Sequence, residues 1–224
     1  MLAGSEETQG CNERSLDMPR NEELFSSICK GDRNAVQEIV QKAMDDGDDI
    51  VELLNNSMIP AMREMGEKFS CNEVYVPDML IAARAMQTGL DLIGPSLAKE
   101  GHKTAATVCI GTVKGDLHDI GKNLVAMMLK GAGYQVIDLG VDCDIDQFEE
   151  AVSQGATAVL CSALLTTTMP YMKTVVEHFR DRPGVQVVIG GAPVTKEYAD
   201  EIGADGYGSD ANQAVKVLDA SIGI

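Results

Sequence analysis

The sequence predicts an N-terminal all-α helical bundle followed by an α/β domain built on a five-stranded parallel sheet. Three observations carry that expectation. Residues 20–97 keep a helical period throughout. After Lys103, short runs of β-branched and small residues alternate strictly with amphipathic ones, the pattern of a sheet covered on both faces. Between the first such run and the body of the first such helix lies a glycine-punctuated stretch, Gly111-Thr112-Val113-Lys114-Gly115-Asp116-Leu117-His118-Asp119-Ile120-Gly121-Lys122-Asn123. Ligands bind at that place in open α/β sheets, outside the carboxyl end of a strand.

Taken in order, residues 1–19 are polar and aperiodic and read as a flexible tail. Leu24, Phe25 and Ile28 mark a first helix, which Gly31 ends. Asp32 suits the N-cap of a second, with Val36, Ile39, Val40 and Ala43 on one face. A third begins near Asp48 and runs through Leu54 and Met58. Pro60 has no amide proton and must bend or break it, so Met62, Met65 and Phe69 continue at a changed angle. Pro77 suits the first turn of a last helix, where Met79, Ala83, Met86, Leu90, Ile93 and Leu97 form a bundle seam. Gly94-Pro95 leads out of the bundle (20–97), and 98–103 is a linker.

The α/β domain spans 104–224. Its strands are expected at 104–110, 134–139, 157–161, 185–189 and 206–207, and its helices at 119–131, 145–154, 170–181, 194–202 and 210–221. Five strands at this spacing suit a flavodoxin-like, Rossmann-like order of 2-1-3-4-5. That order brings the loops after strands one, three and four to one rim.

Composition excludes several functions. The formal charge of −17 is spread over both halves of the 224 residues, so neither nucleic acid nor an anionic membrane is an expected partner. The six cysteines form no CxxC pair, which argues against a zinc site or a disulfide scaffold. The N-terminus has no apolar leader and no run is long enough to span a bilayer, so a cytoplasmic protein is expected.

The loop carries the chemistry. Asp116 and His118 stand two residues apart, so a carboxylate can bind one ring nitrogen and turn the other outward as a metal ligand. Asp116-x-His118-x-x-Gly121, then Ser162-x-Leu164, then Gly190-Gly191, in that order at the loops of an α/β pattern, resembles the cobalamin-binding signature of the B12-binding domain. The whole chain is similar to the stand-alone corrinoid proteins of anaerobic methyltransferase systems, of methanol, methylamine and methoxy-compound type. It is also similar to the cobalamin module of B12-dependent methionine synthase.

That resemblance implies cobalamin or a related corrinoid as cofactor, alternating between methylcobalamin and cob(I)alamin. His118 is then the lower axial ligand of cobalt, and Asp116 and Thr168 form a relay behind it. Thr168 stands where many relatives carry serine, a departure that keeps the oxygen. Gly121, Ser162, Leu164, Thr166, Gly190 and Gly191 belong to the cofactor site, where a slot of small residues takes the nucleotide tail. The bundle would cap the upper face, with Tyr75 and Met79 as its contacts. Implied partners are a substrate-specific methyltransferase, an acceptor methyltransferase acting on a thiol or tetrahydrofolate-type carrier, and a reductive activase. The competing readings are a B12 sensor or regulatory module, the small subunit of an adenosylcobalamin mutase, and a flavodoxin-like or receiver domain. The first is disfavoured by the lack of Trp, and the second by the helical bundle. The third lacks its phosphate cradle or its acidic cluster.

Overall fold

The computed structural model describes residues 19–99 and 105–222. Most of the expected tail and linker, and His102, fall outside them.

Helix α1 (Glu22–Lys30) is capped by Asn21, whose side chain accepts from the Leu24 amide, and α2 (Arg33–Asp46) by Asp32, which accepts from Ala35. Asp49 caps α3 (Ile50–Leu53), which passes directly into a π-helical turn, Leu54–Met58, and then α4 (Ile59–Ser70). The π turn stands where the sequence predicted a bend. Pro60 cannot donate to the carbonyl four residues back and its ring crowds that carbonyl. A wider turn relieves both.

Helix α5 (Val76–Lys99) carries Met79, Ala83, Met86 and Ile93 into the core and leaves Leu90 and Leu97 half-buried against it. It continues through Pro95, where the sequence suggested an exit. Pro95 and Asp91 are both exposed, so water can satisfy the carbonyl that the proline leaves unpaired.

Strands β1 (Thr107–Val113), β2 (Gln135–Cys143), β3 (Ala158–Ser162), β4 (Gln186–Gly190) and β5 (Gly206–Gly208) form a parallel sheet of order β2-β1-β3-β4-β5. The helices between and after them are α6 (Ile120–Gly131), α7 (Ile145–Ser153), α8 (Met169–Phe179), α9 (Lys196–Ile202) and α10 (Ala211–Ile222). β1 reaches further than expected. It is paired on both sides, and the ladder carries Gly111 opposite Cys161 and Thr112 opposite Ser162. The loop that holds the motif is thus shortened to Lys114–Asp119.

Side chains alternate across the sheet. Val108, Ile110, Leu160 and Val188 face α6 and α10, while Cys109, Val159, Cys161 and Val187 face the opposite layer with Phe148, Met172 and Ile202. The bundle does not close its core on itself. Its Met58, Met62, Met65 and Met86 belong to one continuous core with Met128, Leu129, Val215 and Leu218 of α6 and α10.

Polar contacts lock this seam. The Asp219 carboxylate, nearly buried, accepts from the Arg63 guanidinium at 2.6 Å and from the Tyr134 hydroxyl at 2.8 Å. Lys216 pairs with Glu67 at 2.9 Å, and Asn212 donates to the Ser70 hydroxyl at 3.1 Å. Asp219→Ala leaves the buried Tyr134 hydroxyl without its acceptor. It should lower unfolding free energy by about 1–3 kcal/mol, measured by urea denaturation, and speed proteolytic cleavage between the bundle and the sheet.

Among the described residues no helix is long and apolar enough to cross a membrane. Cys109, Cys143 and Cys161 are free thiols buried behind the sheet.

Candidate cofactor site

The site begins at the carboxyl end of β1. The Asp116 amide donates to the Val113 carbonyl at 3.0 Å, turning the chain sharply, and the Thr112 hydroxyl donates to the His118 carbonyl at 2.8 Å. The carboxylate of Asp116 is thereby driven inward and is fully buried. One oxygen, Oδ1, meets His118 Nδ1 at 2.8 Å and accepts from the His118 amide at 3.1 Å. The other, Oδ2, accepts from the Leu164 and Leu165 amides at 2.8 and 3.1 Å, and the Thr168 hydroxyl lies 2.9 Å away.

Thr168 Oγ1 is also 2.8 Å from the Leu165 carbonyl, and a single hydroxyl proton serves one of the two. The charged carboxylate is the stronger acceptor. Burial alone would raise the Asp116 pKa. The Leu164 amide, the His118 ring and amide and the Thr168 hydroxyl outweigh it, and the carboxyl is held well below the usual carboxylate range.

The consequence for His118 is geometric. Its Nδ1 is held by a fixed anion, so Nε2 is the nitrogen available to a metal. The ring is 51% exposed at the rim. Leu117 on the loop, Ile120 at the start of α6, and Leu164 and Leu165 after β3 stand exposed, an apolar setting for a broad, flat ligand. Among the described residues no three His, Cys, Asp or Glu side chains gather as a metal cage.

Beside the loop runs a groove of about 290 Å³, lined by Gly121, Lys122 and Leu124 on one wall and by Ser162, Gly190, Gly191 and Gly208 along the sheet end. Its floor follows from register. Thr112, Ser162, Gly190 and Gly208 fall in one row across four parallel strands. A side chain at Gly121 would meet nothing within 4 Å, so that position opens onto free space. Phe69, at the end of α4, closes the groove from the bundle side.

The structure gathers Asp116, His118, Gly121, Ser162, Thr168, Gly190 and Gly191 at this rim. Leu164 enters through its amide rather than its side chain. Thr166 is exposed and lies outside the groove lining, because the alternation of a strand does not persist into the loop after it. Met79 is 1% exposed inside the bundle core, whereas Tyr75 is 64% exposed at the start of α5, its amide donating to Asp78 at 2.8 Å. Sequence reasoning gave no site role to Thr112, Lys122 or Gly208, and placed Phe69 only in the run expected to cap the cofactor. Lys122, nearly buried and bonded to Asp138 at 2.5 Å, followed the motif directly and was the one signal available.

A doubly wound sheet with an anion-oriented imidazole at its rim, and a groove floored by glycines beside it, marks a ligand-binding α/β protein. Comparison with known proteins gives the particular case. Two family models, each described as a B12 binding domain, match residues 106–216 and 20–93. A corrinoid protein of Desulfitobacterium hafniense is 37% identical over 209 residues, 90% of this chain and 97% of that one. The trimethylamine corrinoid protein of Methanosarcina barkeri is 40% identical over 217 residues, 92% of this chain and 100% of its own. Among solved structures, a cobalamin-binding protein from Desulfitobacterium hafniense superposes with a TM-score of 0.73 at 30% identity, covering 88% of this chain and 96% of that one. The methanol:cobalamin methyltransferase complex of Methanosarcina barkeri gives 0.78 at 29% identity, covering 92% and 81%. The chain belongs to the corrinoid proteins with B12-binding domains, and its cofactor is a cobalamin-type corrinoid.

Proposed function

We propose that the protein carries a methyl group on cobalt from a substrate-specific methyltransferase to a second methyltransferase that acts on a thiol or tetrahydrofolate-type acceptor. The observation that carries this reading is the buried Asp116 carboxylate, which fixes the His118 ring with Nε2 free at the rim, beside a groove floored by glycine. When bound, the corrinoid supplies a cobalt ion that accepts and releases methyl groups. His118 Nε2 would hold that cobalt. Asp116, bonded to Nδ1, would orient the ring and leave Nε2 to the metal. Thr168 and the Leu164 and Leu165 amides hold Asp116 itself. The groove takes the nucleotide tail, with Gly190, Gly191 and Ser162 beneath it.

The solved complex to which this chain is similar joins a corrinoid protein to a methyltransferase, and this supports docking of partner enzymes at the open rim. A reductive activase belongs to the same reading, because the reduced carrier is readily oxidised. Tyr75, exposed at the start of α5, is the bundle residue offered to the cofactor's upper face. The free thiols and the absence of a membrane-spanning helix among the described residues support a cytoplasmic setting.

The test is reconstitution with cobalamin and its visible spectrum. Wild type should show histidine-ligated, tail-displaced cofactor. His118→Ala should lose that signature and bind at least about ten-fold more weakly. Equal spectra would reject the axial role.

A further inference from the structure

The bulged end of β2 braces the His118 loop from the side opposite Thr168. The register of β1 against β2 slips after Ile110 and again after Gly111, so β2 arrives at the loop with extra chain. Asp142 sits in this irregular stretch in the left-handed region at φ 55°, costly for a residue with a side chain and tolerated best by Asn, Asp and Gly. In that conformation it reaches the loop twice. Its Oδ1 accepts from the Gly115 amide at 2.7 Å, and its own amide donates to the Asp116 carbonyl at 3.0 Å. Two neighbours act in the same sense. Asp138 accepts from Lys122 in the first turn of α6 and from the Gly140 amide at 2.9 Å. Lys114 lies 3.8 Å from Asp144.

The carboxylate of Asp116 has no freedom on the β3 side, where two amides and a hydroxyl hold it. Its backbone has no such tie there. The Asp116 amide is held by the turn to Val113, and from β2 Asp142 adds one bond to the Asp116 carbonyl and one to the Gly115 amide beside it. We infer that Asp142 is a positioning residue: it sets the height of the Asp116–His118 pair above the sheet edge, and so the reach of Nε2 toward cobalt. The inference rests on His118 being the axial ligand.

Three substitutions separate its parts. Asp142→Asn keeps an acceptor oxygen and tolerance of positive φ. Asp142→Gly keeps the backbone conformation and loses the acceptor. Asp142→Ala loses both. Each is reconstituted with cobalamin beside wild type and His118→Ala. The readouts are cobalamin affinity, the histidine-ligated fraction from the visible spectrum, and amide exchange of Gly115 in the cofactor-free protein. Asn should match wild type within about two-fold. Gly and Ala should lose Gly115 protection and bind about ten-fold more weakly, as expected for a lost hydrogen bond to a charged group, with a smaller histidine-ligated fraction. Thermal unfolding of the cofactor-free variants shows whether Gly retains the fold. A Gly variant with wild-type ligation and affinity would overturn the inference, and so would an Asn variant as impaired as Ala. If wild type and His118→Ala gave one spectrum, the axial role and this inference would fall together. If those two differed while all three Asp142 variants matched wild type, only this inference would fall.

Discussion

Asp116→Asn should cost more than any other single change at the site, destabilising the protein by on the order of 3–5 kcal/mol and abolishing histidine-ligated cobalamin. The carboxylate faces only donors: on one oxygen the His118 ring and amide, on the other two amides and a hydroxyl. An amide side chain must turn its own N–H₂ toward one of those sets, so a buried donor meets donors and loses its partner. Acid should distinguish this variant from wild type. The folded-state pKa of Asp116 lies well below the unfolded value near 4. Its contribution is complete above the unfolded value and is lost as pH falls from there through the folded one. Urea unfolding at neutral pH and near pH 3 should show the gap between wild type and Asp116→Asn shrinking in acid. A gap independent of pH would mean that the ionised carboxylate is not what stabilises the loop.

Gly191→Ala should destabilise the fold by about 3 kcal/mol or more and abolish cofactor uptake. Gly191 sits at φ 133°, and an added Cβ would lie 2.0 Å from the Ala163 carbonyl oxygen. That atom is backbone and cannot be moved by a rotamer change; the turn after β4 and the turn after β3 would have to separate. The variant should be poorly soluble or melt well below wild type. Gly121→Ala is the control, because its methyl enters open groove and should leave the fold intact. A Gly191→Ala protein that melts and binds cobalamin like wild type would show that the two turns are not held this closely.

Much of this was readable from the chain. The caps Asp32 and Gly31, the alternation of strand and helix, and the three motif fragments are local signals, and local signals survive in sequence. The losses share one cause, contact between residues distant in sequence. β1 outlasts its apolar run because β2 and β3 pair with it. The groove floor at Gly208 exists only through the register of β4 against β5. Met79 shows a further limit, since spacing on a helix is the same for a residue facing its own core and one facing a ligand. The seam with α6 and α10 was hidden for the same reason: apolar stripes on α4 and α6 each look complete until they are placed together.

The thiols behind the sheet have a meaning for a protein that holds a transferable methyl group. A thiolate is the natural alkyl acceptor, and a neutral thiol is a poor one. Burial pushes Cys109 up to about 12 and Cys143 to about 11, and raises Cys161 well above its ordinary value. The packing that builds the sheet thus keeps these three thiols neutral and poorly nucleophilic, while Cys71 lies exposed on the bundle.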